Sequence, residues 1–386
     1  MADRFDVLIV GAGIAGASAA ANLSGDCKVA IVERETHPGY HATGRSAALF
    51  SEIYGNASIR ALSRASRAHL FDPPAGFCET PLVSPRGALY VARPGQSASF
   101  EAMAALPDVA AGTSLVDEAR ARGLSPLLKE GYAAQALYEP EASDIDVGAL
   151  HQGYLRQMRG RGGRLLLDSE VLALERRGQV WRARTTQGDI EAPVVVDAAG
   201  AWADRVAALA GLAGVALTPL RRTVALIEVP NAAQIAKSAM TIDIDETFYF
   251  KPDAGLLLIS PADETPVEAC DAQPDEMDLA IAVARVEAAT HLEVRRIRAK
   301  WAGLRSFVAD RSPVVGFDPA AAGFFWLAGQ GGYGIQTAPA LGRLAAALIL
   351  GESPPAEVME FGLRLADIAP GRLVGRPADV QNAEVG

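Results

Sequence analysis

The chain opens with a strand, a glycine turn and a helix in a spacing that few folds accommodate. Asp6-Val7-Leu8-Ile9-Val10 is a short apolar run with β-branched residues, the pattern of a strand buried in a parallel sheet. Gly11-Ala12-Gly13-Ile14-Ala15-Gly16 follows at once as G-x-G-x-x-G, and residues 17–23 are small or helix-favouring. Gly11 permits the tight turn, Gly13 lets a pyrophosphate approach the backbone, and Gly16 allows the helix to pack on the strand. The helix N-terminus then offers N–H groups and positive potential to the phosphates. A second strand, residues 29–32, ends in Glu33, seventeen residues beyond Gly16, where a carboxylate can accept from ribose hydroxyls.

An acid rather than a basic residue at position 33 disfavours a ribose phosphate, so FAD or NAD is expected rather than NADP. Residues 7–23 carry three glycines in register and no basic flank, and therefore read neither as a signal peptide nor as a transmembrane segment. A net charge of −10 argues against nucleic-acid and anionic-membrane partners. The three cysteines, Cys27, Cys78 and Cys270, are far apart, and the five histidines have no zinc-like spacing. No metal is expected, and the thiols suit a reduced, cytoplasmic protein; peripheral membrane contact through an electron acceptor is the alternative.

Along the chain, residues 34–48 are too rich in glycine and hydroxyls for a regular element and follow a strand's carboxyl end, where α/β sheets bind ligands. Helices are predicted over residues 56–70, 100–106, 116–122, 147–159 and 277–291, and strands over 87–92, 163–167, 221–229, 241–250 and 256–260. Residues 251–255 form the hairpin turn between the last two strands. Segments 170–175 and 181–186, with a turn at 187–189, read as an antiparallel meander over one face of the nucleotide sheet. Residues 193–197 return to the parallel sheet and end in Ala198-Ala199-Gly200, small enough for close approach of a cofactor. A further strand precedes the segment from Trp301 to Phe307, and the tail from Pro370 reads as loosely held.

Near the end the opening pattern returns. Gly323-Phe324-Phe325-Trp326-Leu327-Ala328 is a strand, Gly329-Gln330-Gly331-Gly332-Tyr333-Gly334-Ile335-Gln336-Thr337 a second glycine turn, and residues 338–350 a helix. Two such units need one large ligand touching both. NAD has no use for the second, whereas FAD does: its isoalloxazine gathers negative charge at N1–C2=O on reduction, which a helix N-terminus stabilises. No His or Cys lies in the second turn to form a flavin bond, so noncovalent FAD is expected. The expected fold is α/β, a discontinuous Rossmann-like FAD-binding domain over 1–85, 140–216 and 299–386. An antiparallel-sheet (α+β) substrate domain, 86–139 and 217–298, is inserted into it.

These turns, together with Val196-Asp197-Ala198-Ala199-Gly200-Ala201-Trp202 and the β-rich insert, resemble the D-amino acid oxidase superfamily. The branch most similar is that of bacterial FAD-dependent D-arginine dehydrogenases. It shares runs like Gly39-Tyr40-His41-Ala42-Thr43-Gly44-Arg45-Ser46-Ala47-Ala48, Pro73-Pro74-Ala75-Gly76-Phe77-Cys78-Glu79, Asp144-Ile145-Asp146 and His151-Gln152-Gly153-Tyr154-Leu155-Arg156, and segments 301–310 and 330–337. The resemblance implies oxidative deamination of a D-amino acid: hydride passes from Cα to flavin N5, the imino acid hydrolyses to a 2-oxo acid and ammonia, and electrons go to an acceptor other than oxygen. By position it assigns Arg222 and Arg305 to the substrate carboxylate, Tyr54 and Tyr249 to hydroxyl contacts, and Gly332 and Gln336 to the amine beside the flavin. Arginine forks bind carboxylates bidentately and keep their charge; without the resemblance, the two arginines read equally as exposed strand residues.

Cofactor contacts are expected from Gly11, Gly13, Ile14, Ala15, Gly16, Glu33 and Arg34, then from Thr43, Gly44, Ser46 and Ala47 of the loop. Val171, Ala199, Gly200, Trp202 and Gly303 follow, and the second turn contributes Gln330, Gly331, Gly332, Tyr333, Gly334, Ile335, Gln336 and Thr337. His41 and His151 read as structural. The chain departs from the branch at Ala88, where the arginine-preferring members carry an acid, and at Leu49, where they carry a histidine. Both changes remove polarity, so neutral or hydrophobic side chains are expected. A glycine or sarcosine type of amine oxidase, and a redox-sensing flavoprotein without turnover, are the other readings.

Overall fold

The computed structural model describes residues 2–373. Its first sheet runs Arg164–Leu166, Val29–Val32, Val7–Val10, Val194–Asp197, Phe324–Ala328 and Val314–Phe317, the last pair antiparallel and the others parallel. Its central strands are buried on both faces, which is why they read as unbroken apolar runs. On one face the Ile14–Leu23 helix packs between Val147–Gly160 and Gly334–Leu350. A Cβ at Gly342 would stand 2.8 Å from Ser18 Cβ, so the helices cross closely only because that position is glycine. The other face is covered by the meander Val171–Arg177, Val180–Thr185 and Gly188–Ala192, whose Leu174, Trp181 and Ile190 pack on Leu8, Val195 and Trp326.

A second, nine-stranded sheet lies beyond the carboxyl ends of the first. Its longest strands, Thr218–Ile227 and Ile297–Phe307, pair antiparallel along their length, with Arg222 opposite Gly303 and Leu220 opposite Arg305. Side chains directly opposite each other share a face, and so do those two residues along a strand. Arg222 and Arg305 are therefore diagonal neighbours on one face, with the bare Gly303 between them. The α/β fold with an attached sheet is as expected from the sequence, but that sheet is mixed rather than antiparallel throughout, since Met240–Asp243 runs parallel to Ala88–Ala92.

Several boundaries differ. The predicted strand 241–250 is a hairpin of Met240–Asp243 and Tyr249–Asp253, because Asp243 accepts from the backbone of Asp245 and Thr247 and turns the chain there. The next turn is confined to Ala254 and Gly255, both at positive φ (47° and 80°), while Lys251 and Pro252 stay in the strand. The predicted helix 116–122 divides into a strand, Ser114–Val116, and a helix, Glu118–Leu124, capped by Asp117. The expected boundary at 299 falls inside the Ile297–Phe307 strand. Pro370–Leu373 is a packed 3₁₀ turn, held by Arg372 on Asp310, rather than a loose tail; the remainder of that tail lies outside the described residues.

Candidate active site

The two glycine turns stand at the carboxyl ends of the Val7–Val10 and Phe324–Ala328 strands, with only Val194–Asp197 between them. One continuous cleft runs from Glu33 and Arg34, past Gly11, Gly13, Ile14 and Ala15, to Gln330, Gly331, Gly332 and Arg305. Its walls also include Thr43, Ser46, Ala47, Val171, Ala199, Gly200, Trp202, Gly303, Gly334 and Ile335, and, unanticipated, Arg45, Ser169, Glu170, Arg205 and Cys270. Gly11 has φ +106°, and a Cβ there would lie 2.5 Å from the Ala198 carbonyl oxygen. Gly16 is not part of the wall; a Cβ on it would lie 2.0 Å from the Gly11 carbonyl oxygen, so its work is the helix–strand packing.

Ala12 between these glycines is held from two sides. Its N–H donates to Glu33 Oε2 at 2.8 Å, and its carbonyl accepts from His151 Nε2 at 2.9 Å. Burial pushes the His151 pKa down, so the ring is neutral and the proton sits on Nε2, the nitrogen that faces an acceptor. Thr43 Oγ1 accepts from Ile14 N–H at 3.0 Å and fixes the loop to the start of the helix. At the outer end Arg34 lies over the Trp202 ring at 4.3 Å, and His41 packs on the same ring at 4.5 Å. Arg45 joins this loop to the opposite wall: it donates to the Ala272 and Ala302 carbonyls at 2.9 and 3.1 Å and pairs with Asp271.

Arg305 occupies the inner end. Its Nη1 donates to Tyr54 Oη at 3.3 Å, with Tyr249 and Tyr333 close by, and it has no carboxylate partner among the described residues. A Cβ at Gly332 would stand 2.8 Å from its guanidinium carbon, so the second glycine turn leaves the space Arg305 fills. Arg222 lines the same end but is already engaged, by Nε to the Asp263 carbonyl at 2.8 Å and by Nη2 to Glu264 at 3.1 Å. Glu264 also takes Arg311 bidentately; burial opposes its charge, but Arg311, Arg222 and Arg305 together hold its carboxyl below the ordinary range. Arg222 and Arg311 are thus paired, and Arg305 is the arginine of this end without a carboxylate partner among the described residues.

Besides Gly16, five expected contacts lie off the cleft. Gly44 presses on Gly39, where a Cβ would meet the carbonyl oxygen at 2.7 Å. The last helix begins at Gly334 rather than 338, because the Tyr333 carbonyl accepts from both the N–H and the hydroxyl of Thr337. Tyr333 and Thr337 are consumed in starting that helix. Gln336, 3% exposed, spends its amide on Ser51 and Ser63 and does not face the cleft. Tyr54 reaches Arg305 from a neighbouring cavity, which Ile53, Tyr90, Met103 and Glu246 also line.

A parallel sheet with a glycine turn at each end of one long cleft is the build of a flavin dinucleotide protein, and the bare backbone at Gly11, Gly13 and Gly332 fits that cofactor. Residues 6–348 match the family described as FAD dependent oxidoreductase (DAO); the chain belongs to this family, and its cofactor is FAD. The chain is 30% identical over 180 residues to FAD-dependent oxidoreductase domain-containing protein 1 of Xenopus laevis, a match covering 42% of this chain and 35% of that longer protein. The solved structure of glycine oxidase from Geobacillus kaustophilus superposes with a TM-score of 0.77 at 23% identity, covering 94% of this chain and 99% of that one. L-proline dehydrogenase from P. horikoshii gives a TM-score of 0.81 at 20% identity, covering 96% and 98%. No helix among the described residues is long and apolar enough to cross a membrane.

Proposed function

We propose that the chain is an FAD-dependent D-amino acid dehydrogenase that yields a 2-oxo acid and ammonia and passes electrons to an acceptor other than oxygen. The observation that carries this reading is Arg305, a cation at the flavin end of the cleft with a tyrosine hydroxyl beside it and no carboxylate partner among the described residues. A half-buried guanidinium in that state favours an incoming carboxylate strongly. Bound FAD supplies the two-electron acceptor for oxidation of a Cα–N bond. The chain's own residues bind and orient: Arg305 and Tyr54 take the α-carboxylate, Tyr249 flanks it, and Arg222 adds field while tied to Glu264. No histidine among the described residues lines this end of the cleft, and its neighbouring acids are engaged, Glu264 by Arg222 and Glu246 by the Tyr54 hydroxyl, consistent with a reaction whose side chains position substrate rather than pull a proton from carbon.

Relatives named for glycine and L-proline support amino-acid chemistry. D-configuration rests on the sequence resemblance. Preference for neutral side chains rests on Val224 and Tyr249 at the cleft, backed by Leu49, Met240, Leu258 and Trp301. Ala88 contributes less than its sequence position suggests, being fully buried in its strand opposite Glu139. Anaerobic mixing with D- and L-amino acids, glycine and sarcosine tests the reading through flavin absorbance. D-methionine, D-leucine and D-phenylalanine should bleach the flavin faster than D-arginine. Preference for glycine or sarcosine with peroxide formation would shift the assignment to a small-amine oxidase, the reading the glycine oxidase likeness favours. Absence of bleaching with every amine would end the enzymatic reading. Acid precipitation should release all the yellow colour to the supernatant; flavin retained in the pellet would contradict noncovalent binding.

A further inference from the structure

Between the strand Leu49–Phe50 and the helix Ala57–Phe71 the chain has no regular structure, yet it carries Tyr54 to within hydrogen-bonding distance of Arg305. Backbone of this kind keeps one conformation only where other groups fix it. Two buried side chains do so here, from different parts of the fold. Glu139, 2% exposed at the end of the Gln135–Glu139 strand, accepts from Ser51 Oγ at 2.8 Å and from Glu52 N–H at 3.0 Å, and also from the Ile53 N–H. Gln336, in the first turn of the cofactor-bearing helix, accepts from Ser51 N–H at 3.1 Å and donates to the Ser51 carbonyl at 3.3 Å, while its amide nitrogen also donates to Ser63 at 2.8 Å.

The geometry points to Glu139 and Gln336 as positioning residues that, by gripping Ser51 and Glu52, set where the Tyr54 hydroxyl stands against Arg305 and so complete the carboxylate site. Neither residue touches the cleft. Glu139 approaches from the antiparallel sheet and Gln336 from the helix that starts beside the flavin turn, so the segment is referenced to both halves of the fold at once. Buried carboxylates and amides are retained where their bonds are made, and nearly every polar atom of this pair has a partner. The inference rests on the carboxylate reading of Arg305 given above.

The test replaces Glu139 by Gln, which keeps the volume but turns an NH2 group toward a donor. Displacing a positioning group of this kind typically costs about ten- to a hundredfold. In the FAD-loaded protein KM for the amino acid should rise by about tenfold or more. The dissociation constant of the 2-oxo acid product, read from the flavin spectrum without turnover, should weaken to match, with FAD affinity near wild type. Ser51→Ala, which removes only the hydroxyl arm, should show the same split more weakly and serves if Glu139 variants fold poorly. In a Tyr54→Phe background Glu139→Gln should add nothing to KM, since it acts through that hydroxyl. Equal effects in both backgrounds, or a loss confined to FAD affinity, would overturn the inference. Arg305→Met separates the two ideas: if it leaves KM unchanged, the carboxylate reading fails, whereas if it raises KM and Glu139→Gln and Ser51→Ala do not, only the positioning role fails.

Discussion

Replacing Arg305 by Met, with FAD content intact, is expected to lower kcat/KM for the amino acid by about thirtyfold or more. Removing one partner of a buried, hydrogen-bonded charge pair costs about 2–5 kcal/mol, and about 2 kcal/mol is already some thirtyfold. Arg305 is the group for which this applies most fully, because its guanidinium touches Tyr54 and has no carboxylate to fall back on among the described residues. Arg222→Met should act in the same direction but less strongly, since Nε and Nη2 of that residue are already bound to Asp263 and Glu264. Arg305→Lys keeps charge without the planar fork and should fall between. The loss should be mostly in KM. A kcat/KM near wild type in Arg305→Met would remove the arginine from the substrate site.

Gly11→Ala is expected to abolish useful FAD binding and lower the thermal midpoint together. The position sits at φ +106°, which an alanine adopts only with strain of about 1–3 kcal/mol. Its new methyl would also lie 2.5 Å from the Ala198 carbonyl oxygen, which is fixed backbone, adding about 1–3 kcal/mol of overpacking. Gly13→Ala provides the contrast. There the methyl meets only Thr43 Oγ1, at 3.3 Å, and the backbone angle is ordinary, so folding should survive while the approach of the pyrophosphate is blocked. FAD titration by fluorescence beside thermal unfolding distinguishes them. Gly11→Ala with wild-type affinity and stability would show that the turn does not hold the cofactor.

The parallel sheet was legible because each strand is an unbroken apolar run and each glycine turn follows its strand directly. Residue pattern is a poor guide where side chains redirect the backbone. Residues 241–250 alternate like a strand, but Asp243 bonds the Thr247 N–H and hydroxyl and folds the run on itself. The start of the last helix was hidden by its glycines and tyrosine, because what starts it is a bond from the Thr337 hydroxyl to the Tyr333 carbonyl. Within the site, residue type pointed to the arginines, but no local pattern could show that Arg222 meets a carboxylate whereas Arg305 meets none among the described residues. Gln336 and Ser51 are 285 positions apart, and Arg45 and Asp271 are 226; such pairs exist only once the sheets are assembled.

The Gly331 N–H donates to the Ser306 carbonyl at 3.0 Å, one residue beyond Arg305 on the same strand. That single bond makes the second glycine turn and the strand that carries Arg305 parts of one piece of scaffold. On the proposed reading, the spacing between the flavin ring and a carboxylate on Arg305 is therefore inherited with the backbone, and the loops adjust only what joins Arg305 around the substrate. Segments such as 97–112, which wall only the cavity next to Tyr54, can be exchanged or redesigned to suit other side chains while the redox distance stays where it is. A scaffold divided in this way can diversify its substrates without having to rediscover its chemistry each time.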